Sequence, residues 1–548
     1  MEDVIIIGSG AGGGPLALTL SLAGFRTLVL EKGPEVERAQ FPHDELAGTW
    51  RSALLPSLGE EPHVIVRDGF AAPRHGSVGW VACCVGGGTV HMGAYFGRFQ
   101  ADDFRMRSRF GDYEQLADWP YGYDDLEPYY CRAEWEIGVA GEADANPFEG
   151  RRSRPYPMPP LDSNPLAGFL DQACARHGLH PFPTPRGVNS VPYQGRPACS
   201  YCHFCAGYGC RTGAKGSTQE TLLARARQTG NCTVLPLARV REILVDRYGW
   251  AKGCIYLDAE GCEQEVQSRV VCVCCSAVES ARLLLLSKSP QFPKGLANQT
   301  GLVGQNLQFQ STSSGQAKFF RGKHPTEMFS HQNPFVGRAL MDYYFLPDGV
   351  SDLPKGGMMV FRHAGLGPIL RSILLAQQGG KTQWGMPLKT HLHEFFHEVH
   401  PIEIELYHDF IPNAGTYVEL DPEVCDKWGL PVARINIQTP DHHARAGGWV
   451  VDRGLDVMTT LGADEVNRLF IGEVAGFLVH GTCRAGRDPR TSVLNEYCQS
   501  HEVPNLFVVD GSFMPTSGGV PPTLTILANS FRTADFIVAE AKRGRFRL

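Results

Sequence analysis

"DVIIIGSGAGGGPLALTLSLAGFRTLVLEKG", residues 3–33, decides the fold. Its VIII run has no polar alternation and reads as a strand buried on both faces. Gly8, Gly10 and Gly13 then fit G-x-G-x-x-G, with Ala11 and Gly12 between them, and lead into an apolar-periodic helix, PLALTLSLAG. A second strand, TLVLE, ends in Glu31, 23 residues after Gly8. Gly8 permits a tight turn and Gly10 lets the backbone approach a pyrophosphate at the helix N-terminus. Gly13 allows close helix–strand packing, and Glu31 can accept hydrogen bonds from a ribose. With 62 glycines in the chain the bare triplet says little, but strand, glycines, helix, strand and acid in this order predict a dinucleotide-binding βαβ unit. The stretch alone leaves FAD and NAD equally open.

The rest of the chain, 548 residues in all, has material for two or three cores. At 43% hydrophobic and 20% charged residues it has an ordinary globular composition. The net charge is −7 with no basic stripe, which argues against a nucleic-acid partner. The N-terminus lacks the basic region and cleavage site of a signal peptide. The most apolar run, VVCVCCSAVESARLLLLS, is broken by Glu279 and Arg282, so no transmembrane segment is expected. Seventeen cysteines, an odd number and scattered, predict a reducing, cytoplasmic setting, unless the chain leaves the cell bound to a signal-bearing partner.

The C-terminal run NLFVVDGSFMPTSGGVPPTLTILANSFRTADFIVAE, residues 505–540, supplies a strand, a glycine-rich loop and a long helix beginning near Pro522. That order would bring Asp510, Gly511 and a second helix N-terminus at Thr523 to a cofactor. With this run the sequence resembles the glucose–methanol–choline (GMC) family of FAD-dependent oxidoreductases, and within it bacterial sugar and polyol dehydrogenase large subunits and pyranose oxidase. The resemblance extends over the whole chain. It rests also on VGGGTVHMGAYFGRF at 85–99, CAGYGCRTGAKGST at 205–218, AVESARLLLLS at 277–287, GLVGQNL at 301–307 and HGTCRAGRDPRTSVLN at 480–495.

The resemblance implies an α/β fold of GMC type: a Rossmann-like FAD-binding domain from residues 1–100, 196–308 and 476–548, and a sheet-based substrate domain from 101–195 and 309–475. It implies that Gly86, Gly87 and Thr89 lie under the flavin ring, that Val240 meets the adenine end, and that Asp510 and Gly511 contact the pyrophosphate or ribityl chain. His91 occupies the position of a flavin-linked histidine in pyranose oxidase; a covalent link and simple packing beside the flavin both remain open. The implied reaction is oxidation of a hydroxyl of a small sugar, glycoside or polyol substrate by hydride transfer to flavin N5.

That reaction needs a base to take the hydroxyl proton. The family supplies a histidine in H-x-x-G-T and a His or Asn further on, but this chain reads LVHGT and VPPTLT. Leu478 and Pro521 therefore stand at those two places, and proline has no side-chain donor or acceptor. Either His480 enters the site by a local register change and is the catalytic base, or the flavin has been turned to another reaction. A third alternative is a catalytically silent flavin-binding subunit.

Two further motifs invite metal readings. HEFFH at 393–397 fits H-E-x-x-H, which on a helix puts His393 and His397 on one face with Glu394 as base. Strand-like PIEIELY follows at once, so zinc chemistry is not expected there. Cys199, Cys202, Cys205 and Cys210 are spaced C-x2-C-x2-C-x4-C. The first three match the start of a ferredoxin-type run. In sugar-dehydrogenase relatives a similar insert holds a three-iron cluster, so a 3Fe-4S or 4Fe-4S iron–sulfur cluster on these cysteines, feeding an electron-transfer partner subunit, is the favoured expectation. Plain buried thiols, then zinc, are the alternatives.

Overall fold

The computed structural model describes all residues except 51–52, 331–332, 365–366, 378–381, 475–477 and 548. The first strand, Glu2–Ile7, pairs in parallel with Thr27–Leu30 on one side and with the second half of Glu263–Val273 on the other. Cys232–Leu235 and Leu506–Val508 extend this parallel set at its two edges. Val4, Ile5 and Ile6 are wholly buried, as a parallel strand covered on both faces must be. The helix after the glycines runs Gly13–Leu22 and so begins two residues before the apolar run suggests. An antiparallel meander, Arg239–Val245, Ala251–Leu257 and the first half of Glu263–Val273, completes a seven-stranded sheet.

The strand Leu506–Val508 brings Asp510 back beside the first strand, and the C-terminal helix Thr523–Lys542 starts one residue after Pro522. Residues at both ends of the sequence therefore meet in one parallel sheet. The mixed α/β architecture expected from sequence is what the structure has.

A second, six-stranded sheet is antiparallel between all its neighbours: Glu465–Val474, Ser311–Phe320, Val399–His408, Gly357–His363, Arg338–Leu340 and Phe182–Pro183. Its central strand, Val399–His408, alternates strictly. Ile402, Ile404 and Leu406 share a core with Val450, Val451 and Met458 of the helix Asp441–Leu461, which covers one face of the sheet. Glu403, Glu405 and Tyr407 necessarily point to the other face. That face closes the cavity described next. HEFFH falls across the end of the helix Gly385–His393 and a following helical turn, immediately before this strand.

Candidate active site

One cavity of about 1010 Å³ runs from the parallel sheet to the open face of the six-stranded sheet. All the cofactor residues anticipated from sequence line it except Gly13 and Gly86. Those two act from behind. A Cβ on Gly13 would lie 2.0 Å from the Gly8 carbonyl oxygen, which explains the glycine as a packing requirement. Gly86, at φ +95°, donates its N–H to Ser9 Oγ at 2.9 Å, and its carbonyl accepts from Thr89 Oγ1 at 2.6 Å.

At the dinucleotide end the wall is mostly backbone. Gly8 has φ +101°, and a Cβ there would meet the Cys274 carbonyl at 2.3 Å. A Cβ on Gly88 would meet no atom and would stand in the cavity itself. Glu31 is buried in the lining, accepting from Ser9 N–H (3.2 Å), Ser9 Oγ (2.6 Å) and Gly33 N–H (2.9 Å). Burial raises its pKa, and those hydrogen bonds pull back against it. Asp510 ties the loop before the C-terminal helix to the segment Ser276–Ser280: Oδ1 accepts from Ser512 N–H at 2.8 Å, and Oδ2 from Ser276 N–H at 3.1 Å and from Ser280 Oγ. Pro522, Thr523 and Ile526 put the first turn of that 20-residue helix in the wall, opposite the turn that opens Gly13–Leu22. Two helix N-termini, a buried carboxylate and a side-chain-free floor fit a dinucleotide such as FAD.

In the middle of the cavity His91 is buried, stacks on Trp80 at 4.4 Å and donates from Nε2 to the Trp80 carbonyl at 2.8 Å. Burial, aided by the Lys215 charge, pushes it down to about 4, so it is neutral at pH 7. Leu478, at φ +54°, and Pro521 also line the cavity. The two family positions for proton-handling side chains thus face the cavity and carry apolar groups.

His480, the candidate base, does not reach the cavity wall. It is fully buried but absent from the lining, and burial pushes it down to about 3. Its backbone pairs both ways with Gln308, at 2.8 and 3.0 Å, and its Cβ lies against Gly511. That pairing fixes the register and keeps Leu478, rather than His480, at the cavity.

At the far end the wall is charged side chain. Glu403 is gripped at both oxygens, by Arg362 at 2.8 Å and by Arg371 at 3.0 Å. Arg362 reaches Glu405 only at 3.8 Å. Tyr95 packs against Tyr407 at 5.7 Å, and Arg186 lies over Tyr95 and Phe335 at 4.2 and 4.3 Å. Burial first, then the adjacent Glu405 carboxylate, hold the Tyr407 hydroxyl well above its usual range. Sequence reading missed Glu403, Glu405 and Tyr407. They are the alternating residues of the strand-like PIEIELY, whose period of two was visible but whose exposed face was not.

The metal readings fare differently. His393 and His397 lie 4.9 Å apart, outside the cavity, with His393 paired to Glu398 at 3.3 Å. Among the described residues no group of three or more His, Cys, Asp or Glu side chains is placed to hold a metal ion. Nothing in this arrangement supports the iron–sulfur cluster expected on the four cysteines. Cys202 is exposed, whereas Cys199, Cys205 and Cys210 are half-buried. The loop is held instead by Lys215, whose buried ammonium donates to the carbonyls of Val90 (3.2 Å), Cys205 (2.7 Å) and Tyr208 (2.9 Å). Cys205, with His203, Phe204 and Tyr208, becomes part of the cavity wall.

Comparison with known proteins agrees with this geometry. The family model for GMC oxidoreductases matches residues 75–312 and 412–530, and one for an FAD binding domain matches 3–56. The chain is 30% identical to 2-methyl-1,2-propanediol dehydrogenase of Mycolicibacterium austroafricanum, over 98% of this chain and 95% of that one. It is also 30% identical to paromamine 6'-oxidase of Streptomyces fradiae, over 98% and 91%. The large subunit of fructose dehydrogenase from Gluconobacter japonicus is 26% identical over 99% and 98%. Among solved structures, pyridoxine 4-oxidase from Mesorbium loti shares the fold with a TM-score of 0.63 at 19% identity, over 98% of this chain and 99% of that one.

Proposed function

The chain belongs to the GMC oxidoreductase family and is an FAD-dependent oxidoreductase, and on that premise we propose that it oxidises a hydroxyl of a sugar, glycoside or polyol. The observation that carries this reading is the continuity of the cavity: a backbone cradle for a dinucleotide opens directly into a chamber walled by Arg186, Arg362, Glu403, Glu405 and Tyr407. Bound flavin supplies a two-electron acceptor for hydride. The chamber's side chains supply what a polyhydroxylated molecule needs, guanidinium and carboxylate partners for its hydroxyls and the Tyr95 and Phe335 rings for its apolar faces. Relatives named for a propanediol, an aminoglycoside and fructose support a hydroxyl-bearing substrate. We place Gly8, Gly10, Ala11, Gly12, Glu31, Val240, Asp510 and Gly511 along the adenosine and pyrophosphate. Gly87, Thr89 and His91 belong to the flavin section, with His91 held by Trp80 and its Nδ1 left for any covalent attachment.

Electrons leave to a separate acceptor or to a partner subunit, as the name of the fructose dehydrogenase relative suggests. Seventeen free cysteines support a reducing, cytoplasmic setting. Anaerobic mixing of flavin-loaded protein with diols, ketohexoses and amino sugars tests the reading, and one class should bleach the flavin within seconds. One observation favours a second reading: Leu478 and Pro521 leave the usual proton-handling places apolar, as in a flavoprotein turned to redox-neutral chemistry. Product formed in the absence of any acceptor, without lasting bleaching, would replace the first reading with the second. Neither bleaching nor product would leave a flavin-binding subunit without catalysis.

A further inference from the structure

With Leu478 and Pro521 apolar and His480 turned away, the cavity needs another acceptor for the hydroxyl proton. Three acids face the chamber: Glu45, Glu403 and Glu405. Glu45 is engaged at the rim by the backbone N–H of Leu370, at 3.0 Å. Glu403 has both oxygens in ion pairs with Arg362 and Arg371. Glu405 is different. Among the described residues its cation partner on the sheet, Arg362, stands at 3.8 Å, beyond hydrogen-bond distance, and its hydrogen-bond partner is the neutral Tyr407 hydroxyl.

Position points the same way. The end of the strand Val399–His408 that carries Tyr407 abuts the segment leading to Pro521. Met358, the cross-strand partner of Tyr407, donates its N–H to the Gly519 carbonyl at 2.8 Å. Gln310 bridges the carbonyls of His408 and Gly518, at 3.0 and 2.8 Å. Two residues before Gln310, Gln308 pairs with His480 and so anchors Leu478 at the same end. At about 3.4 Å per residue, Glu405 lies roughly 7 Å along the strand from Tyr407 and Glu403 roughly 14 Å. Of the two strand carboxylates, Glu405 is thus the one nearer the Tyr407 end, and so nearer the segment that leads to Pro521.

We propose that Glu405 receives the proton of the substrate hydroxyl, with Arg362 and Tyr407 positioning its carboxylate; the inference rests on the oxidoreductase reading above. In the step, the substrate O–H bond breaks and the proton passes to a Glu405 carboxylate oxygen. The adjacent C–H bond breaks with both electrons leaving as hydride to the bound flavin, and a C=O bond forms. The substrate loses two electrons and the cofactor gains two. The proton later returns to water. The groups beside Glu405 are Arg362 across the sheet and Tyr407 and Glu403 on its own strand; Tyr95 packs on Tyr407 and Arg186 on Tyr95.

The experiment uses flavin-loaded wild type, Glu405→Gln, Glu405→Asp and Tyr407→Phe. Anaerobic bleaching is followed against pH with whichever alcohol reduces the wild type best, and binding of the corresponding carbonyl product is followed by its perturbation of the oxidised flavin spectrum. Loss of a general base lowers the bleaching rate about 10²–10⁴-fold in Glu405→Gln and removes the fall in rate toward acid pH. Product binding gives a readout independent of turnover. A protonated Glu405 donates to the product carbonyl, so wild-type affinity should tighten several-fold as pH falls, and in Glu405→Gln it should not change. Tyr407→Phe should slow bleaching less than tenfold. If Glu405→Gln fails to hold flavin, Glu405→Asp decides, with a slower rate and the acid limb retained. Wild type reduced normally, Glu405→Gln within threefold of it and product affinity flat with pH overturn this proposal alone. Wild-type flavin that no alcohol reduces overturns the oxidoreductase reading of the substrate, and this proposal with it.

Discussion

At the dinucleotide end of the cavity the wall is backbone: Gly8, Gly10, Gly12 and Gly87 offer no side chain, and Glu31 and Asp510 are satisfied by neighbours within the same half. At the sheet end the wall is side chain: Arg362, Glu403, Glu405 and Tyr407 project from two adjacent strands and interact with one another. The first end is rigid because a side-chain atom added at Gly8, Gly12 or Gly13 collides with main chain. The second can be rewritten residue by residue without moving a strand, since a strand's cavity face is independent of the face that packs on the helix Asp441–Leu461. A family can therefore keep one cofactor end while varying what happens at the other. Predictions that separate the two ends test this contrast.

The largest expected effect is at the backbone wall. Gly13→Ala must push a methyl into the Gly8 carbonyl, 2.0 Å away, and should cost more than about 3 kcal/mol and release the flavin. Gly24→Ala is the control: at φ +92° with nothing within 4 Å, it should cost only about 1 kcal/mol and keep the flavin. Thermal unfolding and flavin absorbance of the two variants check both. Equal losses would mean that the glycine cradle is not the rigid element.

Next in size is acid sensitivity. Burial pushes His91 and His442 down to about 4, and His408 and His480 to about 3. For a histidine whose folded pKa lies below its unfolded value near 6.5, the unfolded chain binds the extra proton, so stability falls as pH drops below 6.5 and the loss is complete only at the folded pKa. One such residue costs about 2 kcal/mol by pH 5. His480→Gln should therefore flatten the fall of Tm between pH 6.5 and 5 relative to wild type, whatever it costs at pH 7. His408→Gln, behind the sheet, should flatten it by a similar amount. A wild-type Tm that does not fall over this range would show that both rings find acceptors for their protons when folded.

A smaller effect is expected where charge rather than backbone forms the wall. Glu403→Gln leaves Arg362 and Arg371 without their shared carboxylate, but both guanidiniums reach solvent, with side-chain exposures of 44% and 22%, so the cost should be about 1–2 kcal/mol. Flavin content should not change, because Glu403 belongs to the other end. Substrate affinity should weaken several-fold as Arg371 and its helix lose their anchor, which a KM measurement would read. Loss of flavin in this variant would erase the separation between the ends.

The same contrast explains what the sequence disclosed. Gly8, Gly10, Gly13 and Glu31 were legible because a dinucleotide bound by backbone demands specific residue types at fixed spacing. Asp510 and Thr523 were legible from strand, loop and helix in order. Glu405 was not, because nothing in PIEIELY says which of its two faces meets a cavity; that depends on pairing with Ser311–Phe320 and Gly357–His363, far away in sequence. His480 misled for a related reason. Its distance from Leu478 is only two residues, but the bridge to Gln308 decides which of the two side chains sees the cavity.

The smallest effect predicted is at the cysteines, where close spacing and a resemblance to sugar-dehydrogenase relatives were the basis for expecting a cluster. Lys215 already occupies the three carbonyls that shape this loop, so no metal is required to hold it. Cys202 is exposed, and Cys202→Ser should change stability by no more than about 0.5 kcal/mol. Its visible spectrum should be flavin bands alone, identical to wild type, with no iron in either preparation. A cluster would reverse every part of this: a broad absorbance under the flavin bands, stoichiometric iron, and loss of both in Cys202→Ser. That result would also mean that the thiols converge only when iron is bound. The rigid end of the molecule would then extend past the glycines to a loop that the ammonium of Lys215 holds only in the metal's absence.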